Sequence, residues 1–253
     1  MASDDYPVTC RIIILCMSWL LCACAGNAQQ TDPEASADPW EGLNRPINSF
    51  NNGVDKALIK PVAKGYEIII PRFLRRGVTN FSRNLREPLN AINNLLQGKG
   101  GAATTDFGRF IANSTFGVLG IFDVATAAGL DAANNEDFGQ TFAVWGVPDG
   151  PYVIVPLLGP RTLRDAVLIP LNFLADPLFH YRNSSVRGKL YAIRLIDVRQ
   201  RLFRAEGLLK GSQDRYISIR EAYLQHRQYV IYDGDPPVDE DFYDDFLDED
   251  EEY

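Results

Sequence analysis

The sequence has no cysteine beyond its N-terminal region and has only two histidines. Its four cysteines, at positions 10, 16, 22 and 24, all precede residue 25. The rest of the chain therefore lacks thiols, which excludes a disulfide framework and a cysteine-ligated metal site there. His180 and His226 do not have the partner spacing of a zinc site. We expect neither a metal nor a cofactor.

The chain also lacks the sequence marks of a catalytic centre. No serine lies in a Gly-x-Ser-x-Gly elbow, so a catalytic triad is not indicated. His180 is typical of a core or interface ring, and His226 of a solvated helical residue. The glycine-rich residues 98–103 follow a predicted helix at 90–97 instead of a strand, which favours a turn between helices over a dinucleotide site. These absences predict a protein that is not an enzyme.

The one long apolar run lies close to the N-terminus. Residues 12–25 are almost wholly apolar, but a bilayer span needs about 20 such residues. The run is instead typical of a cleaved export signal. Its end, Leu21-Cys22-Ala23-Cys24, resembles a bacterial lipobox and predicts that Cys24 becomes the lipidated first residue. Cleavage after Ala28, which would release a soluble protein, is the alternative.

Charge divides the remainder of the chain. The formal net charge is −8, yet residues 233–253 alone hold 12 Asp or Glu and no Lys or Arg. Residues 24–232 hold 24 Lys or Arg and 19 Asp or Glu, so this part is mildly basic. We predict a signal peptide at 1–23, a lipidated flexible tether at 24–37, a folded domain at 38–232 and an acidic disordered tail at 233–253.

The folded domain is predicted to be mainly α. Residues 187–210 carry apolar side chains at alternating spacings of four and three, which place them on one stripe of a helix. A second stripe runs over 74–92, and Pro88 should kink or divide this helix. Thr162 and Asp165 have the spacing of a capping box, which predicts a helix that runs towards Pro170.

Two stretches invite functional interpretation. Residues 107–130 mix aromatic, glycine and alanine residues around Asp123, which suits close packing in a membrane with a polar lumen or ion-pair partner. A tight soluble helix pair capped by Asp123 is an equal alternative.

Residues 146–160 predict an extended connector with one short strand.

A basic cluster could hold phosphate groups, because guanidinium forks suit them. Export disfavours nucleic acid as the ligand, which leaves phospholipid headgroups or an ordinary solvated helix face. The cluster consists of Arg72, Arg75, Arg76, Arg83 and Arg86.

Several strings, in order along residues 38–232, resemble the signature of the MlaA (VacJ) family of outer-membrane lipoproteins. They are Asp38-Pro39-Trp40-Glu41-Gly42-Leu43-Asn44-Arg45, Asn84-Leu85-Arg86-Glu87-Pro88, Phe122-Asp123-Val124-Ala125, Phe138-Gly139-Gln140-Thr141, Trp145-Gly146-Val147-Pro148-Asp149-Gly150-Pro151-Tyr152, Thr162-Leu163-Arg164-Asp165 and Arg220-Glu221-Ala222-Tyr223. The acidic tail departs from the pattern, as does Asp214-Arg215-Tyr216, where Asp-Pro-Tyr is common.

The resemblance implies a compact, ring-like domain with kinked and amphipathic helices, embedded in one leaflet of the outer membrane on its periplasmic face. Such a protein removes mislocalised phospholipid through an amphipathic channel. It associates with trimeric porins and passes the lipid to a soluble periplasmic carrier of the MlaC type. A scaffold lipoprotein that binds porins without moving lipid is the alternative.

The basic cluster and the apolar stretch over 107–130, taken together with the resemblance, supply the candidate site residues. The candidate headgroup contacts are Arg75, Arg76 and Arg83. The candidate channel or lipid contacts are Phe116, Gly117, Gly120, Phe122, Asp123 and Val124.

Overall fold

The computed structural model describes residues 38–131, 134–207 and 211–237. The predictions for the signal peptide, Cys24, the tether and residues 238–253 of the tail lie outside these residues. The described part is mainly helical, as predicted. Its helices are α1 (Glu41–Val54), α2 (Lys60–Ile69), α3 (Arg72–Asn84), α4 (Glu87–Leu96), α5 (Gly100–Thr115), α6 (Val124–Ala127), α7 (Phe138–Val144), α8 (Leu163–Val167), α9 (Ile169–Ala175), α10 (Ser184–Arg201), α11 (Phe203–Glu206) and α12 (Arg215–Ile231).

Helices α1 and α2 are continuous through a π-helical segment, Asp55–Ile59. Pro61, which cannot donate a backbone hydrogen bond, lies in the first turn of α2 and accounts for irregular winding at this point. The π segment is held against α10, since Asp55 accepts two hydrogen bonds from Arg199, at 2.6 and 2.8 Å. Lys60 pairs with Glu206 of α11 at 2.7 Å.

The predicted break near Pro88 is confirmed. Helix α3 ends at Asn84, and α4 begins at Glu87 with Pro88 in its first turn, where the missing N–H is harmless. The turn between α4 and α5 occupies residues 97–99, so the glycine-rich segment begins in a turn between helices as predicted, whereas its residues 100–103 form the first turn of α5. Helices α4 and α5 pack closely against each other.

Other boundaries differ from the sequence predictions. Thr162 caps α8 by accepting a hydrogen bond from Asp165 N, but α8 ends at Val167 and a separate helix, α9, carries Pro170. The long helix α10 ends at Arg201, earlier than predicted.

The connector that was predicted to hold one strand holds part of an antiparallel pair. Strand β1 (Tyr152–Val155) pairs with β2 (Gly159–Thr162), with Tyr152 opposite Thr162. Asn44 of α1 holds β1 from the side, because its side chain donates to Tyr152 O at 3.0 Å and accepts from Ile154 N at 2.8 Å.

Burial is reversed relative to an ordinary soluble domain. Among the described residues, 19 buried side chains are polar or charged and nine are hydrophobic. Many large hydrophobic side chains are instead exposed, including Ile68, Phe73, Leu95 and Phe116. Soluble monomers rarely expose large apolar patches to water. This pattern therefore indicates a surface that is covered by lipid or by a partner.

The buried polar side chains satisfy one another around α4. Asn90 accepts a hydrogen bond from Glu136 N at 3.1 Å, and Asn93 accepts one from the Thr141 hydroxyl at 2.7 Å. Asn94 donates to Asp106 at 2.8 Å. Such a network tolerates burial because few of its groups lose hydrogen bonds on leaving water.

Within the described ranges, none of the helices combines the length and apolar character needed to cross a membrane.

Candidate functional site

An apolar cavity of about 670 Å³ lies between α3, α10 and the segment that follows α5. Its wall is mostly aliphatic and aromatic, with Arg76, Asn80, Ser82, Asp123 and Arg194 as its polar members. The apolar members are Phe73, Leu74, Gly77, Val78, Phe81, Leu85, Ile121, Phe122, Leu178, Leu190 and Ile193. The space suits hydrocarbon, with polar groups confined to a few positions.

A second cavity, of about 470 Å³, is rich in charge, and we call it the charged cavity. Aliphatic and aromatic side chains complete its wall together with Asn172. Its four cations and three carboxylates come from seven separate positions, Arg86, Asp137, Arg161, Asp165, Asp176, Arg194 and Arg227.

The two cavities share part of their walls. Leu85, at the end of α3, lines both, and so does Arg194 of α10. Arg194 is held in place by Asp176, which accepts its hydrogen bond at 2.8 Å. Hydrocarbon-lined space and charged space therefore adjoin at one place, as an amphiphile with tails and a charged head would require.

Ion pairs order one side of the charged cavity. Arg227 of α12 donates to both oxygens of Asp137, at 2.9 and 2.8 Å, and to Asp165 at 2.7 Å. Burial alone would raise the pKa of Asp137, but the hydrogen bonds and charge of Arg227 outweigh it and hold that pKa below its usual range. Tyr223 also donates to Asp165, at 2.8 Å, and its own pKa is raised by burial and the nearby carboxylate.

Arg86 is in a different situation. Its Nε is buried and has no hydrogen-bond partner within the described structure, and its guanidinium forms no ion pair there. Burial lowers its pKa, and the neighbouring charges of Arg194 and Arg161 act in the same direction, against Asp137 and Asp176. A buried cation without an ion-pair partner destabilises the fold.

Residues 116–122, which we call the apolar loop, expose hydrophobic side chains while their backbone is tied inwards. Phe116, Leu119 and Phe122 are 77%, 66% and 61% exposed. The Asn84 side chain donates to Leu119 O at 3.4 Å, and Asn80 donates to Ile121 O at 3.1 Å. The polar backbone is thus partly satisfied from within while the apolar side chains point out.

Two predicted site glycines shape this loop and line neither cavity. Gly120 has φ of +89°, and a Cβ there would overlap the side chain of Asn84. A Cβ at Gly117 would overlap the carbonyl of Phe122. Both positions thus require glycine for close backbone packing. Of the other predicted contacts, Phe122 and Asp123 line the apolar cavity, whereas Phe116 and Val124 do not.

Asp123 combines two roles that the sequence had left as alternatives. It caps α6, since its side chain accepts from Thr126 N at 3.2 Å and from the Thr126 hydroxyl at 2.7 Å. It also pairs with Arg109 at 3.1 Å. Burial acts to raise its pKa, but the Thr126 hydrogen bonds, Arg109 and Asn113 outweigh this and keep the pKa low.

The predicted arginine cluster is spread over different environments. Arg76 lines the apolar cavity, and Arg83 is exposed and lines neither cavity. Arg75 is largely covered and lies 3.7 Å from Glu67. Arg86, which was not among the selected headgroup contacts, is the member that faces the charged cavity. Its position two residues before Pro88, at a predicted break between helices, is the signal that could have singled it out.

Neither histidine lines either cavity. His180 is exposed, which excludes a core ring and leaves the interface ring as the prediction, and its Nε2 lies 2.7 Å from Leu174 O. His226 is exposed on α12, as predicted. No group of side chains suited to hold a metal ion occurs in the part of the chain that the structure describes.

Comparisons with known proteins agree with one another. The protein from Shigella flexneri named intermembrane phospholipid transport system lipoprotein MlaA is 36% identical over 226 residues, covering 85% of this chain and 86% of its own length. The protein of the same name from Escherichia coli (strain K12) is 35% identical over 222 residues, with the same two coverages. An uncharacterized Rickettsia typhi protein is 33% identical over 77% of this chain and 78% of its own length.

A solved structure reported as the structural basis for maintenance of bacterial outer membrane lipid asymmetry also resembles this fold. The TM-score is 0.67 at 34% sequence identity, over 77% of this chain and 98% of that one. A family model described as MlaA lipoprotein matches residues 36–230. The chain therefore belongs to the MlaA lipoprotein family.

Proposed function

We propose that this protein is the outer-membrane component of a phospholipid transport system. It takes mislocalised phospholipid from the outer leaflet, moves it through the joined cavities and passes it to a soluble periplasmic carrier of the MlaC type. The result is preserved lipid asymmetry. The observation that carries the proposal is the shared wall of the apolar and charged cavities at Leu85 and Arg194.

The physical reason is the cost of moving an amphiphile across a membrane protein. Each methylene of an acyl chain that is exposed to water costs about 0.8 kcal/mol, and an unpaired charge in hydrocarbon costs more. A passage with aliphatic walls beside charged walls avoids both costs. Movement is then passive and non-enzymatic, and its direction is set by the carrier.

The site residues have distinct proposed roles. Phe122 and Asp123 contact lipid in the apolar cavity, with Arg76 at its wall as a headgroup contact. Phe116 faces the membrane from the apolar loop. Gly117 and Gly120 keep the loop compact. The headgroup contacts predicted at Arg75 and Arg83 and the lipid contact predicted at Val124 remain part of the proposal.

The apolar loop and the exposed side chains of α2 and α3 support partial embedding in the periplasmic leaflet. In our proposal, acyl chains on Cys24 fix the leaflet, and residues 24–37 tether the domain. Several acyl chains hold a protein far longer than one chain does. The intact mass of the mature protein tests this assignment: a start at Cys24 with added acyl mass is expected, and an unmodified N-terminus at Gln29 would contradict it.

Two partners complete the proposal. A trimeric porin binds the domain in the outer membrane, and the carrier receives lipid at the periplasmic face. The acidic tail, with 12 acidic residues in 233–253, could adjust the approach of a basic partner.

The test is reconstitution of the full-length acylated protein into vesicles that contain fluorescent phospholipid, with the purified carrier as acceptor. We expect lipid to appear on the carrier at a rate that depends on the protein. A porin scaffold would hold its partner and transfer nothing. Lysophospholipid in the mass spectrum after incubation would indicate an enzyme instead.

A further inference from the structure

The side chains that line the charged cavity carry more positive than negative charges. Four arginines and three aspartates line it, and all three carboxylates already have arginine partners. Arg227 engages Asp137 and Asp165, and Arg194 engages Asp176. Arg86 and Arg161 are left without a carboxylate partner among the described residues.

The two remaining arginines come from elements that hold them firmly. Arg86 lies at the junction of α3 and α4, where its N–H donates to Arg83 O at 2.8 Å and its carbonyl accepts from Asn90 N at 2.9 Å. Arg161 belongs to β2, opposite Val153 of β1. Two guanidinium groups that face one cavity from such backbone positions are well suited to bind a single anion through several charge-assisted hydrogen bonds.

Leu85 indicates what the rest of the bound molecule would be. Leu85, next to Arg86, lines the apolar cavity as well as the charged one. An anion bound at Arg86 would therefore lie beside space suited to acyl chains. A free phosphate would leave that apolar space unused.

We propose that Arg86 and Arg161 form a binding site for the phosphate diester of a phospholipid, with its acyl chains in the apolar cavity. The single negative charge of the diester matches the excess of one cation in the cavity. The site would hold the headgroup at a defined place along the passage. This inference rests on the proposed function, because it assumes that phospholipid enters these cavities.

Binding by the full chain in an uncharged detergent tests the site, with native mass spectrometry as the readout. The probe is dihexanoyl phosphatidylglycerol. The comparison ligands are glycerophosphoglycerol, which lacks chains, dihexanoylglycerol, which lacks phosphate, and inorganic phosphate. The wild type should bind the probe more tightly than any of the three. Equal binding of inorganic phosphate would overturn the lipid assignment.

Arg86→Gln should weaken binding of the probe about tenfold, since it removes charge-assisted hydrogen bonds. Arg161→Gln should act in the same direction and serves as the second variant if Arg86→Gln does not fold. Arg204→Gln is the matched control, because Arg204 is exposed and lines neither cavity. Unchanged probe binding in both cavity variants would overturn the site.

Thermal stability separates ligand binding from a structural role. The guanidinium of Arg86 has no carboxylate partner among the described residues, so Arg86→Gln should leave the melting temperature unchanged or raise it. A lower melting temperature together with unchanged binding would show that Arg86 serves the fold instead. Arg86-dependent binding of the probe without any vesicle-to-carrier transfer would refute the proposed function while leaving the site intact.

Discussion

Asp123 illustrates how a charged residue is stabilised within an apolar segment. Its carboxylate receives hydrogen bonds from Thr126 and Asn113 and pairs with Arg109, whose side chain is only 6% exposed. Arg109 also pairs with Glu87 at 3.2 Å. The charge of Asp123 therefore belongs to a buried network that joins α5, α6 and the start of α4.

The pKa of Asp123 is lowered in the folded protein, so its ionised form stabilises the fold. That contribution is fully present above the unfolded pKa of about 3.9 and disappears as the pH falls through the lower folded pKa. Asp123→Asn keeps a capping side chain but removes the charge. We expect it to cost about 1 kcal/mol of unfolding free energy at pH 7.

Denaturant unfolding of the detergent-solubilised protein at pH 7 and pH 3 measures this effect. The difference between wild type and Asp123→Asn should shrink at the lower pH. A difference that stays constant across this range would contradict the role of the charge. Asp123→Ala, which also removes the cap, should be less stable than Asp123→Asn at both values.

Gly120 offers a second prediction for a single residue. Gly120→Ala should lower the free energy of unfolding by about 3 kcal/mol, because it combines a positive φ with an overlap on Asn84. Gly129→Ala is the matched control, since Gly129 also has positive φ but nothing within 4 Å of a Cβ. It should cost about 1 kcal/mol.

Unfolding curves of the two alanine variants decide the matter. Equal decreases in the free energy of unfolding would mean that the Asn84 side chain moves aside without an energetic cost and would contradict the predicted overlap. A bulky residue at Gly120 is consequently a poor probe of lipid movement, because it would disturb the loop itself.

Single residues also show the limit of sequence reasoning. The cap at Thr162 and the break at Pro88 follow from local rules, and the structure confirms both. The unpaired state of Arg86 does not follow from its neighbours in sequence. It depends on carboxylates at 137, 165 and 176, whose partners come from α10 and α12.

At the scale of elements, the apolar loop is the feature that matters most for the membrane. Its composition was evident in the sequence, but its form was not. The sequence suggested packed helices over 107–130, whereas helix α5 ends at Thr115 and a turn follows. Val118 and Leu119 both adopt positive φ, at 53° and 57°, which sequence rules assign to glycine or asparagine.

We expect the apolar loop to enter the membrane. An environment-sensitive fluorophore on Leu119→Cys should shift to shorter wavelength in vesicles and be quenched by brominated lipid, since the exposed side chains of Phe116 and Phe122 remain in the loop and burial of each is worth about 2 kcal/mol. Ser185→Cys, at an exposed position in α10, is the control and should remain in water.

The native cysteines do not interfere in our proposal, because cleavage removes three of them and Cys24 is acylated. If the fluorophore at Leu119→Cys shows the same emission wavelength and the same lack of quenching as the one at Ser185→Cys, insertion of the loop is excluded.

The second strand, β2, is another element that the local sequence pattern did not predict. One strand was predicted in the proline-rich connector, yet β2 contains both Gly159 and Pro160 and pairs with β1. Proline is tolerated there because, within the described residues, the sheet consists of these two strands and β2 lies at its edge. Asn44, more than 100 residues away in sequence, completes the bonding of β1.

At the scale of the whole described domain, polar residues occupy much of the interior and hydrophobic residues much of the surface. Composition cannot reveal this arrangement, since a hydrophobic content of 46% suits an ordinary soluble core equally well. The helical class could be predicted from periodicity. The joined cavities could not, because their walls combine residues from α3 to α12.

The central claim is that phospholipid passes from one cavity to the other, and a reversible block at Leu85 tests it most directly. Leu85→Cys is reconstituted in vesicles, modified with a bulky methanethiosulfonate reagent, and assayed for transfer of fluorescent phospholipid to the carrier. Ser185→Cys, modified in the same way, is the control.

We predict that modified Leu85→Cys transfers lipid at least about tenfold more slowly than the unmodified variant, because the added group fills the space where the cavities meet. Reduction of the mixed disulfide should restore the rate, and Ser185→Cys should be unaffected throughout. Transfer by modified Leu85→Cys at the unmodified rate would contradict passage through the joined cavities.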